Sequence, residues 1–404
     1  MKLLNSMMAG FVKVGQLTII DADGHSHVHG PGGHPSATIR LTDKKLYRTL
    51  FLNPELRAGE AYMDGTLICE EGGIRDLLEV FAHNRDGLRK HPWQKVLKSW
   101  LKKIRRFHQR NKTSASRKNV QHHYDLSNDF YRLFLDEDLQ YSCAYWPSLD
   151  ITLEQAQAAK KAHIAAKLNL KPGQRVLDIG CGWGGMALYL AETFDVSVVG
   201  VTLSDAQHAM GQERVKAAGL SDQVDIRIQD YRDINETFDA VVSVGMFEHV
   251  GIAHYQEYFS KIHDLLTEDG CALVHSIGRK GGPGTTGAWI RKYIFPGGYS
   301  PALSETFAEI EKSGLWVTDC EILRLHYAET LLEWDRRFQA NRAKVAEMFD
   351  EKFCRMWEFY LIVSEFSFRH GKHMNFQIQM SKTVGALPIT RDYMSENERG
   401  LQSA

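Results

Sequence analysis

A glycine-rich loop that directly follows a short apolar run constrains this chain more than any other feature. Residues 175–185 read RVLDIGCGWGG: the run ends in Asp178, four glycines follow, and an amphipathic helix is predicted over 186–193. Glycines let a backbone turn sharply and approach a bound ligand closely. In dinucleotide-binding folds such a loop brings a pyrophosphate to a helix N-terminus, but a lone glycine-rich loop is weak evidence for any one ligand.

The order of acid and glycines, D-x-G-x-G-x-G, resembles the S-adenosylmethionine loop of Rossmann-like methyltransferases. That ligand has no phosphate; it presents an ammonium, a carboxylate and a sulfonium. The resemblance implies that the loop holds the methionine part of S-adenosylmethionine.

Alternating strand and helix patterns follow the loop. The patterns predict a doubly wound parallel α/β sheet with helices on both faces. Together with the loop, this sheet resembles the Rossmann-like methyltransferase fold. Long helical patterns over 331–369 interrupt it before a closing strand at 375–382, and such insertions commonly build substrate pockets. The predicted strands after the first lie at 197–201, 224–228, 238–244 and 270–277, and helices are predicted at 205–218 and 254–266.

The first segment, residues 1–84, reads as a small α+β unit. Strand-like patterns at 15–20 and 36–41 enclose a glycine-rich turn at 30–33, and a short helix is predicted over 74–82. We expect a solvated hairpin tip there and no metal site, although a group of histidines resembles one. These histidines are His25, His27, His29 and His34.

A basic segment over 85–118 carries thirteen lysines and arginines against one aspartate. Its apolar residues recur at helical spacing between Trp93 and Phe107, which predicts an amphipathic linker helix. Tryptophans on one face and cations on the others suit an anionic membrane surface. The alternative is a helix that packs its apolar stripe on the catalytic domain, predicted over 119–404.

Composition excludes several classes of protein. A length of 404 residues suggests two domains, and a net charge of −1 gives no global attraction to nucleic acid. The six cysteines show no C-x-x-C spacing, which argues against a zinc ribbon or a disulfide framework. Neither a membrane-spanning run nor a signal peptide is evident, so we expect a cytoplasmic protein.

Six further strings identify a family when taken together. In this order they resemble the cyclopropane-fatty-acid synthase family over essentially the whole chain, and GEAYMDG at 59–65 resembles its small lipid-associated domain. The strings are HHYDLSNDFY at 122–131, YSCAYW at 141–146, GMFEHVG at 245–251, HSIG at 275–278, WIRKYIFPGG at 289–298 and RMWEFYL at 355–361.

This resemblance implies a reaction. The methyl group of S-adenosylmethionine is transferred to a cis double bond in a phospholipid acyl chain, one proton is lost, and a cyclopropane ring closes. An alkene is a weak nucleophile, so the site must hold it in line with the sulfonium in a dry pocket. Aromatic faces can stabilise the intermediate carbocation. The candidates are Tyr141, Trp146, Phe247, Phe295 and Tyr299.

In this family the proton acceptor is thought to be a bound bicarbonate. The matching positions here are Cys143, Glu248, His275, the backbone of Ile277, and Tyr327 in LHYAETLLEW. Such groups can hydrogen-bond a small planar oxyanion, and Glu248 can accept from its hydroxyl. The alternatives are a small apolar role for Cys143 and a satisfied structural pair for Glu248 and His275.

The resemblance also implies the cofactor contacts. Asp178, Gly180 and Gly182 line the methionine part, with Tyr124 and Ser142 near its carboxylate. The second strand lacks the usual ribose-binding acid, so Gln207 is the expected ribose partner, with Thr202 close by. Asp230 and Tyr231 are expected at the adenine, although Asp230 also suits a helix N-cap.

Three alternatives stay open at this point. The first is an N-methyltransferase of a small amine, since plant alkaloid enzymes share the HYD and YSCAYW-like strings. The second is a lipid methyltransferase that gives branched or methylene chains, and the third is a non-catalytic lipid-binding protein. The family resemblance further implies a homodimer, an unsaturated phospholipid substrate, and peripheral contact with the inner membrane surface.

Overall fold

The computed structural model describes residues 1–85 and 126–403. These residues form two compact units, each built from discontinuous segments. The first contains residues 1–85, Thr285–Pro296 and Leu331–Lys372, and the second contains the other described residues. The basic helix predicted within 85–118 lies outside the described residues apart from Arg85, so the three-segment domain division stays a prediction.

The described residues form eleven strands and fifteen α-helices. The strands are β1 Gly15–Ile20, β2 Ser26–Gly32, β3 Ser36–Leu41, β4 Leu67–Glu71, β5 Arg175–Ile179, β6 Ser197–Thr202, β7 Val224–Ile228, β8 Phe238–Val244, β9 Leu266–Arg279, β10 Trp316–Leu323 and β11 His373–Ser381. The helices are α1 Lys2–Phe11, α2 Lys45–Leu52, α3 Pro54–Met63, α4 Ile74–His83, α5 Asn128–Arg132, α6 Leu153–Leu168, α7 Gly185–Phe194, α8 Asp205–Ala217, α9 Tyr255–Leu265, α10 Ala288–Tyr293, α11 Leu303–Ile310, α12 His326–Ala340, α13 Arg342–Met348, α14 Glu351–Arg369 and α15 Asp392–Ser403.

The first unit contains a four-stranded sheet in the order β2-β1-β3-β4, in which β1 and β3 run parallel. The turn predicted at 30–33 is wrong for most of its length, because residues 30–32 belong to β2, which pairs with β1. Gly30 has a φ of +100°, and a Cβ there would lie 2.3 Å from the Gly15 carbonyl oxygen. Here glycine marks a close, irregular strand pairing instead of a turn.

Two histidines of this segment, His25 and His27, lie beside the carboxylate of Asp21. His27 Nε2 lies 2.9 Å from Asp21 Oδ2, and Asp21 Oδ1 accepts hydrogen bonds from the backbone N–H groups of Asp23 and His25. Potential ligand atoms of Asp21, Asp23 and His25 lie within 4.8 Å of one another. The bonds to Asp21 fix the tight turn that precedes β2.

The helices predicted over 331–369 pack within the first unit. Tyr62 Oη donates to Glu358 Oε2 at 2.7 Å. Arg75 donates to Glu365 at 2.7 Å and to Asp335 at 2.8 Å. The N-terminal helices α3 and α4 are therefore held by residues of α12 and α14.

The second unit is built on a seven-stranded sheet in the order β10-β11-β9-β8-β5-β6-β7. The five strands from β9 to β7 are parallel, and one hydrophobic cluster covers each face of the sheet. This arrangement confirms the Rossmann-like methyltransferase fold. The sheet is nevertheless mixed, since β11 runs antiparallel to both β9 and β10. None of the described helices combines the length and the apolarity needed to cross a membrane.

Candidate active site

The loop after β5 has the backbone that its glycines predicted. Gly180, Gly182 and Gly184 all have positive φ, between +56° and +82°. A Cβ on Gly180 would lie 3.0 Å from the Met246 side chain, so a larger residue would be both strained and crowded. The N–H groups of Gly180 and Cys181 donate to the Val201 carbonyl, which anchors the loop to the end of β6.

A cavity of about 160 Å³ lies at the carboxyl ends of the parallel strands. Its walls come from the loops after β5, β6, β7 and β8 and from residues 139–142, which places it where ligands bind in open α/β sheets. The described residues predicted to contact the cofactor all line this cavity, whereas Tyr124 lies outside the described residues. The lining residues are Ser142, Asp178, Gly180, Gly182, Thr202, Gln207, Asp230 and Tyr231.

Asp178 supplies a buried charge to the cavity. Asp178 is 2 % exposed, and its Oδ2 has no hydrogen-bond partner among the described residues. Burial raises the pKa of this carboxyl to about 7, and the positive charge of Lys160 opposes the shift. A buried acceptor without a partner is costly, so a cationic donor bound in the cavity would be stabilised there.

Gln207 lies in the first turn of α8, and its position is fixed locally. Ser204 caps the helix by accepting from the Gln207 backbone N–H at 3.3 Å, and Thr202 Oγ1 donates to Gln207 Oε1 at 2.8 Å. Because the amide oxygen is held by Thr202, the amide nitrogen is the group that can donate to a ligand hydroxyl.

Asp230 has the N-cap geometry that was its alternative interpretation. Its Oδ1 accepts from the Arg232 backbone N–H at 3.1 Å and from Arg232 Nε at 2.9 Å, and its Oδ2 accepts from Arg232 Nη2 at 2.6 Å. Since Asp230 also lines the cavity, an adenine amino group would have to share this carboxylate with Arg232.

Glu248 follows β8 in a single 3₁₀ turn, Phe247–His249. Its Oε1 accepts from the Ile277 backbone N–H at 2.6 Å, while Oε2 has no hydrogen-bond partner among the described residues. Burial raises the pKa of Glu248 to about 7, although the bond from Ile277 opposes the shift. The N–H of Ile277, expected to bind an anion, is thus engaged by Glu248, whose carboxylate occupies the place an anion oxygen would take.

His275 is 1 % exposed and lies on β9, which is the neighbour of β8, the strand that Glu248 follows. Its Nδ1 lies 3.1 Å from Gln377 Nε2, and its Nε2 lies 3.2 Å from Asn375 Nδ2. Burial lowers its pKa to about 3, so the imidazole is neutral at physiological pH.

One helix, α12, carries Tyr327 and holds the segment that contains Cys143. The segment that carries Cys143 is fastened to α12, since Ala144 N–H donates to Thr330 Oγ1 at 3.1 Å and Trp146 N–H donates to His326 Nδ1 at 2.8 Å. Tyr327 lies in the first turn of the same helix. Burial raises the pKa of the Cys143 thiol far above its usual range, so this residue is an uncharged thiol.

The five aromatic candidates for carbocation stabilisation have different surroundings in the structure. Tyr141 lines the cavity. Phe247 is buried in the sheet's core cluster, and Phe295 packs on Tyr360 within the first unit. Tyr299 Oη donates to Glu305 at 2.7 Å, and Trp146 Nε1 donates to Thr330 at 3.0 Å.

Two buried lysines of α6 were missed by the sequence reading. Lys160 is fully buried, donates to Ser142 Oγ at 3.0 Å, and also bonds Gln140 Oε1, so it supports two cavity-lining residues. Burial lowers the pKa of Lys160 to about 8. Lys167 is 3 % exposed and donates to Gln377 Oε1 at 2.7 Å. Their seven-residue spacing, which places them on one helix face, was the available signal.

Comparisons with known proteins agree with this geometry. The family model "Mycolic acid cyclopropane synthetase" matches residues 111–378. The chain is 40 % identical to a "Probable fatty acid methyltransferase" of Pseudomonas putida, over 92 % of this chain and 94 % of that one. It is also 40 % identical to the "Cyclopropane-fatty-acyl-phospholipid synthase" of Escherichia coli K12, over 87 % of this chain and 90 % of that one.

Among solved structures, mycolic acid cyclopropane synthase CmaA1 complexed with SAH and CTAB matches with a TM-score of 0.62 at 35 % identity. The match covers 65 % of this chain and 97 % of that one. The family expected from the six strings is therefore confirmed: the chain belongs to the mycolic acid cyclopropane synthetase family.

Proposed function

We propose that this protein transfers the methyl carbon of S-adenosylmethionine to the cis double bond of an unsaturated phospholipid acyl chain and forms a cyclopropane ring. The observation that carries the proposal is Glu248, a buried carboxylate with an unpaired oxygen beside the strand of neutral His275. Methylation of an alkene leaves a carbocation that must lose a proton, and the unpaired oxygen of Glu248 provides a buried acceptor that can orient a proton-accepting anion. Methylation of an amine forms no carbocation, so it requires no acceptor for a proton bound to carbon.

The cavity fits S-adenosylmethionine by its donors and acceptors. The unpaired Asp178 Oδ2 suits the ammonium of the methionine part, and the Gln207 amide suits a ribose hydroxyl. Gly180 and Gly182 let the backbone approach the ligand. When bound, S-adenosylmethionine supplies an electrophilic methyl group on a sulfonium.

We further propose that a bound bicarbonate takes part as the proton acceptor. Glu248 Oε2 would accept from its hydroxyl and orient it, while His275, Cys143, Tyr327 and the Ile277 N–H would donate to its oxygens. The unpaired Oε2 supports this assignment. Binding requires that Glu248 release or share the Ile277 N–H that it now accepts.

The lipid substrate and peripheral membrane contact belong to the same proposal. The thirteen cations of residues 85–118 and their apolar stripe support contact with an anionic surface of the inner membrane, in a cytoplasmic protein. The Escherichia coli relative and the structurally similar CmaA1 are named for lipid products, which supports a lipid substrate. A homodimer is expected from the family alone.

Vesicle binding tests the membrane contact. Reversing several charges between Lys95 and Arg106 should weaken binding to anionic vesicles, and added salt should weaken binding of the unaltered protein. Reversal of exposed lysines 171 and 216 of the second unit is the matched control. Binding that is indifferent to both salt and charge reversal would make the segment an internal support.

The decisive experiment incubates the protein with S-adenosylmethionine and vesicles of a monounsaturated phospholipid, then analyses the fatty acids by gas chromatography and mass spectrometry. We expect a cyclopropane chain heavier by one CH₂ and slower turnover in bicarbonate-depleted buffer. The name of the Pseudomonas putida relative also allows a methyl-branched or methylene chain. That product would mean that the same site methylates the lipid but that the proton is lost from a different carbon. Unmodified lipid with cofactor bound would favour a small-amine substrate.

A further inference from the structure

The imidazole of His275 lies between two carboxamides of the neighbouring strand β11. His275, Asn375 and Gln377 are each about 1 % exposed. The Gln377 amide nitrogen faces Nδ1 at 3.1 Å, and the Asn375 amide nitrogen faces Nε2 at 3.2 Å. Both ring nitrogens of a buried histidine therefore face groups that only donate.

A neutral imidazole has one N–H and one lone pair, so it can accept a hydrogen bond from only one of these amides. His275 is neutral, because burial lowers its pKa to about 3. One of the two amides must therefore present its oxygen to the ring, and the surroundings of each amide decide which one.

Lys167 decides the orientation of Gln377. An ammonium has donors and no acceptor, and Lys167 Nζ lies 2.7 Å from Gln377 Oε1. Turning the Gln377 amide would place its NH₂ against this ammonium. The oxygen of Gln377 is thus committed to Lys167, its nitrogen donates to His275 Nδ1, and the ring hydrogen is on Nε2.

Asn375 has no comparable restraint. Its Oδ1 is buried without a hydrogen-bond partner among the described residues. Turning this one amide gives Oδ1 a donor, the Nε2–H of His275, and removes the clash of two donors. Asn375 is also the register partner of Ile277, whose N–H is bonded to Glu248, so Nε2 lies toward the proposed anion site.

We infer that Lys167 is a positioning residue that acts through Gln377 to hold His275 as its Nε2–H tautomer, with Asn375 as the adjustable partner of that N–H. The catalytic consequence rests on the proposed function: Nε2–H is a donor, which a bound oxyanion needs and a lone pair would repel. The tautomer itself does not depend on the reaction.

Lys167 Nζ also bonds an acid, Glu321. Glu321 bonds both Lys167 and His163, and His163 also lies 3.1 Å from Glu398. Although burial raises the pKa of Glu321, its bonds and charge pairs with His163 and Lys167 lower that pKa to about 2 overall. Glu321 therefore stays a carboxylate and accepts a charge-assisted hydrogen bond from Lys167.

The test is ¹⁵N nuclear magnetic resonance of the full chain with labelled histidines and no substrate, because protonated and unprotonated ring nitrogens resonate far apart. His275→Gln assigns the signal. We expect a protonated Nε2 and an unprotonated Nδ1 in the unaltered protein. A hydrogen on Nδ1, or a charged ring at neutral pH, would overturn the inference.

Gln377→Glu is the informative variant, because a carboxylate accepts both from Lys167 and from the ring and should move the hydrogen to Nδ1. Gln379→Glu is its matched control: it makes the same change two residues along the same face of β11, where the side chain contacts Tyr393 and the Lys167 carbonyl. The control should leave the His275 signal unchanged. An unchanged tautomer in Gln377→Glu also contradicts the inference.

Lys167→Met gives a second route if the glutamate variant folds poorly, and Lys382→Met, a half-buried lysine paired with Glu268, controls for loss of a lysine. With Gln377 released, we expect a mixture of tautomers in Lys167→Met alone. Folding is checked by circular dichroism and by S-adenosylmethionine affinity, which should change less than twofold.

Activity separates the inference from the proposed function. We expect kcat in Gln377→Glu to fall about 10- to 100-fold, the range typical of losing the hydrogen-bond partner that orients a metal-bound histidine, because the orienting role is the same. If the tautomer changes and turnover does not, His275 has no part in the reaction and the proposed anion site falls, while the tautomer assignment stands. If the tautomer differs from the assignment, the inference alone falls.

Discussion

Asp178 and Glu248 are two buried carboxylates at the ends of adjacent strands, β5 and β8, and they differ in what surrounds them. Each has an oxygen without a partner among the described residues, and burial raises the pKa of each to about 7. Asp178 lines the cavity, and the positive charge of the buried Lys160 opposes the rise in its pKa. Glu248 accepts a hydrogen bond from the backbone N–H of Ile277 on β9, the strand that also carries the neutral His275. Equal burial thus gives one carboxylate suited to a cationic ligand and another suited to orient the hydroxyl of a proton acceptor.

The largest effect expected from this comparison is on turnover in Glu248→Gln. The amide keeps an acceptor for the Ile277 N–H but loses the charge that orients a proton acceptor, so kcat should fall about 10²- to 10⁴-fold. Fatty-acid analysis measures the product, and isothermal titration should find S-adenosylmethionine affinity within twofold of the unaltered protein. Normal turnover would remove Glu248 from the mechanism.

The same variant should gain stability at neutral and higher pH. The pKa of Glu248 is raised in the fold from 4.5 to about 7, so the native state binds the extra proton and the free energy of unfolding falls as pH rises between these values. Above pH 7 the loss is complete, on the order of 3 kcal/mol at most. Urea unfolding in bicarbonate-free buffer should show Glu248→Gln more stable than the unaltered protein at pH 8 and not at pH 4.5. A constant difference across this range would mean that the carboxyl is not buried as described.

Asp178→Asn should instead weaken cofactor binding. Loss of a charge-assisted hydrogen bond costs about 1.5–3 kcal/mol, which corresponds to roughly a 10- to 150-fold higher Kd for S-adenosylmethionine. Titration calorimetry gives the Kd, and turnover at saturating cofactor should suffer less than in Glu248→Gln. If the two variants lose affinity and turnover in the same proportion, the two carboxylates do not have separate roles.

The smallest effect is expected at the ribose end of the cavity. Gln207→Ala removes one neutral donor, worth about 1 kcal/mol, so the Kd for S-adenosylmethionine should rise about fivefold. Gln212→Ala is the control on the same helix, since Gln212 donates to the Ile226 carbonyl and does not line the cavity. Equal changes in both variants would point to helix stability instead of ribose binding.

The loop that lines the cavity could be predicted from the sequence because it is local. Asp178 and its glycines are contiguous, their backbone conformation requires glycine, and they follow an apolar strand. The proposed anion site has no such local pattern. Its candidate residues come from several loops and strands, and only the resemblance of the strings to the family suggested them.

The residues that surround His275 could not be predicted from the sequence, because a polar pattern does not show whether the side chains are buried. Asn375, Gln377 and Gln379 alternate with apolar residues, which is typical of a strand with one solvated face. In the structure both faces of β11 are buried, and the polar face meets Lys167 of α6. The antiparallel insertion of β11 between β9 and β10 was equally hidden, since it depends on where the chain returns after its helices.

The discontinuous first unit has a consequence for how the protein is made. Tyr62 must find Glu358, 296 residues later, and Arg75 must find Glu365, 290 residues later. At synthesis rates of about 5–20 residues per second, the partners of helices α3 and α4 are synthesised roughly 15–60 s after the helices themselves. Until then the second unit's parallel strands are free to pair first, and a messenger truncated before residue 331 would leave α3 and α4 with an uncovered face exposed to chaperones and proteases.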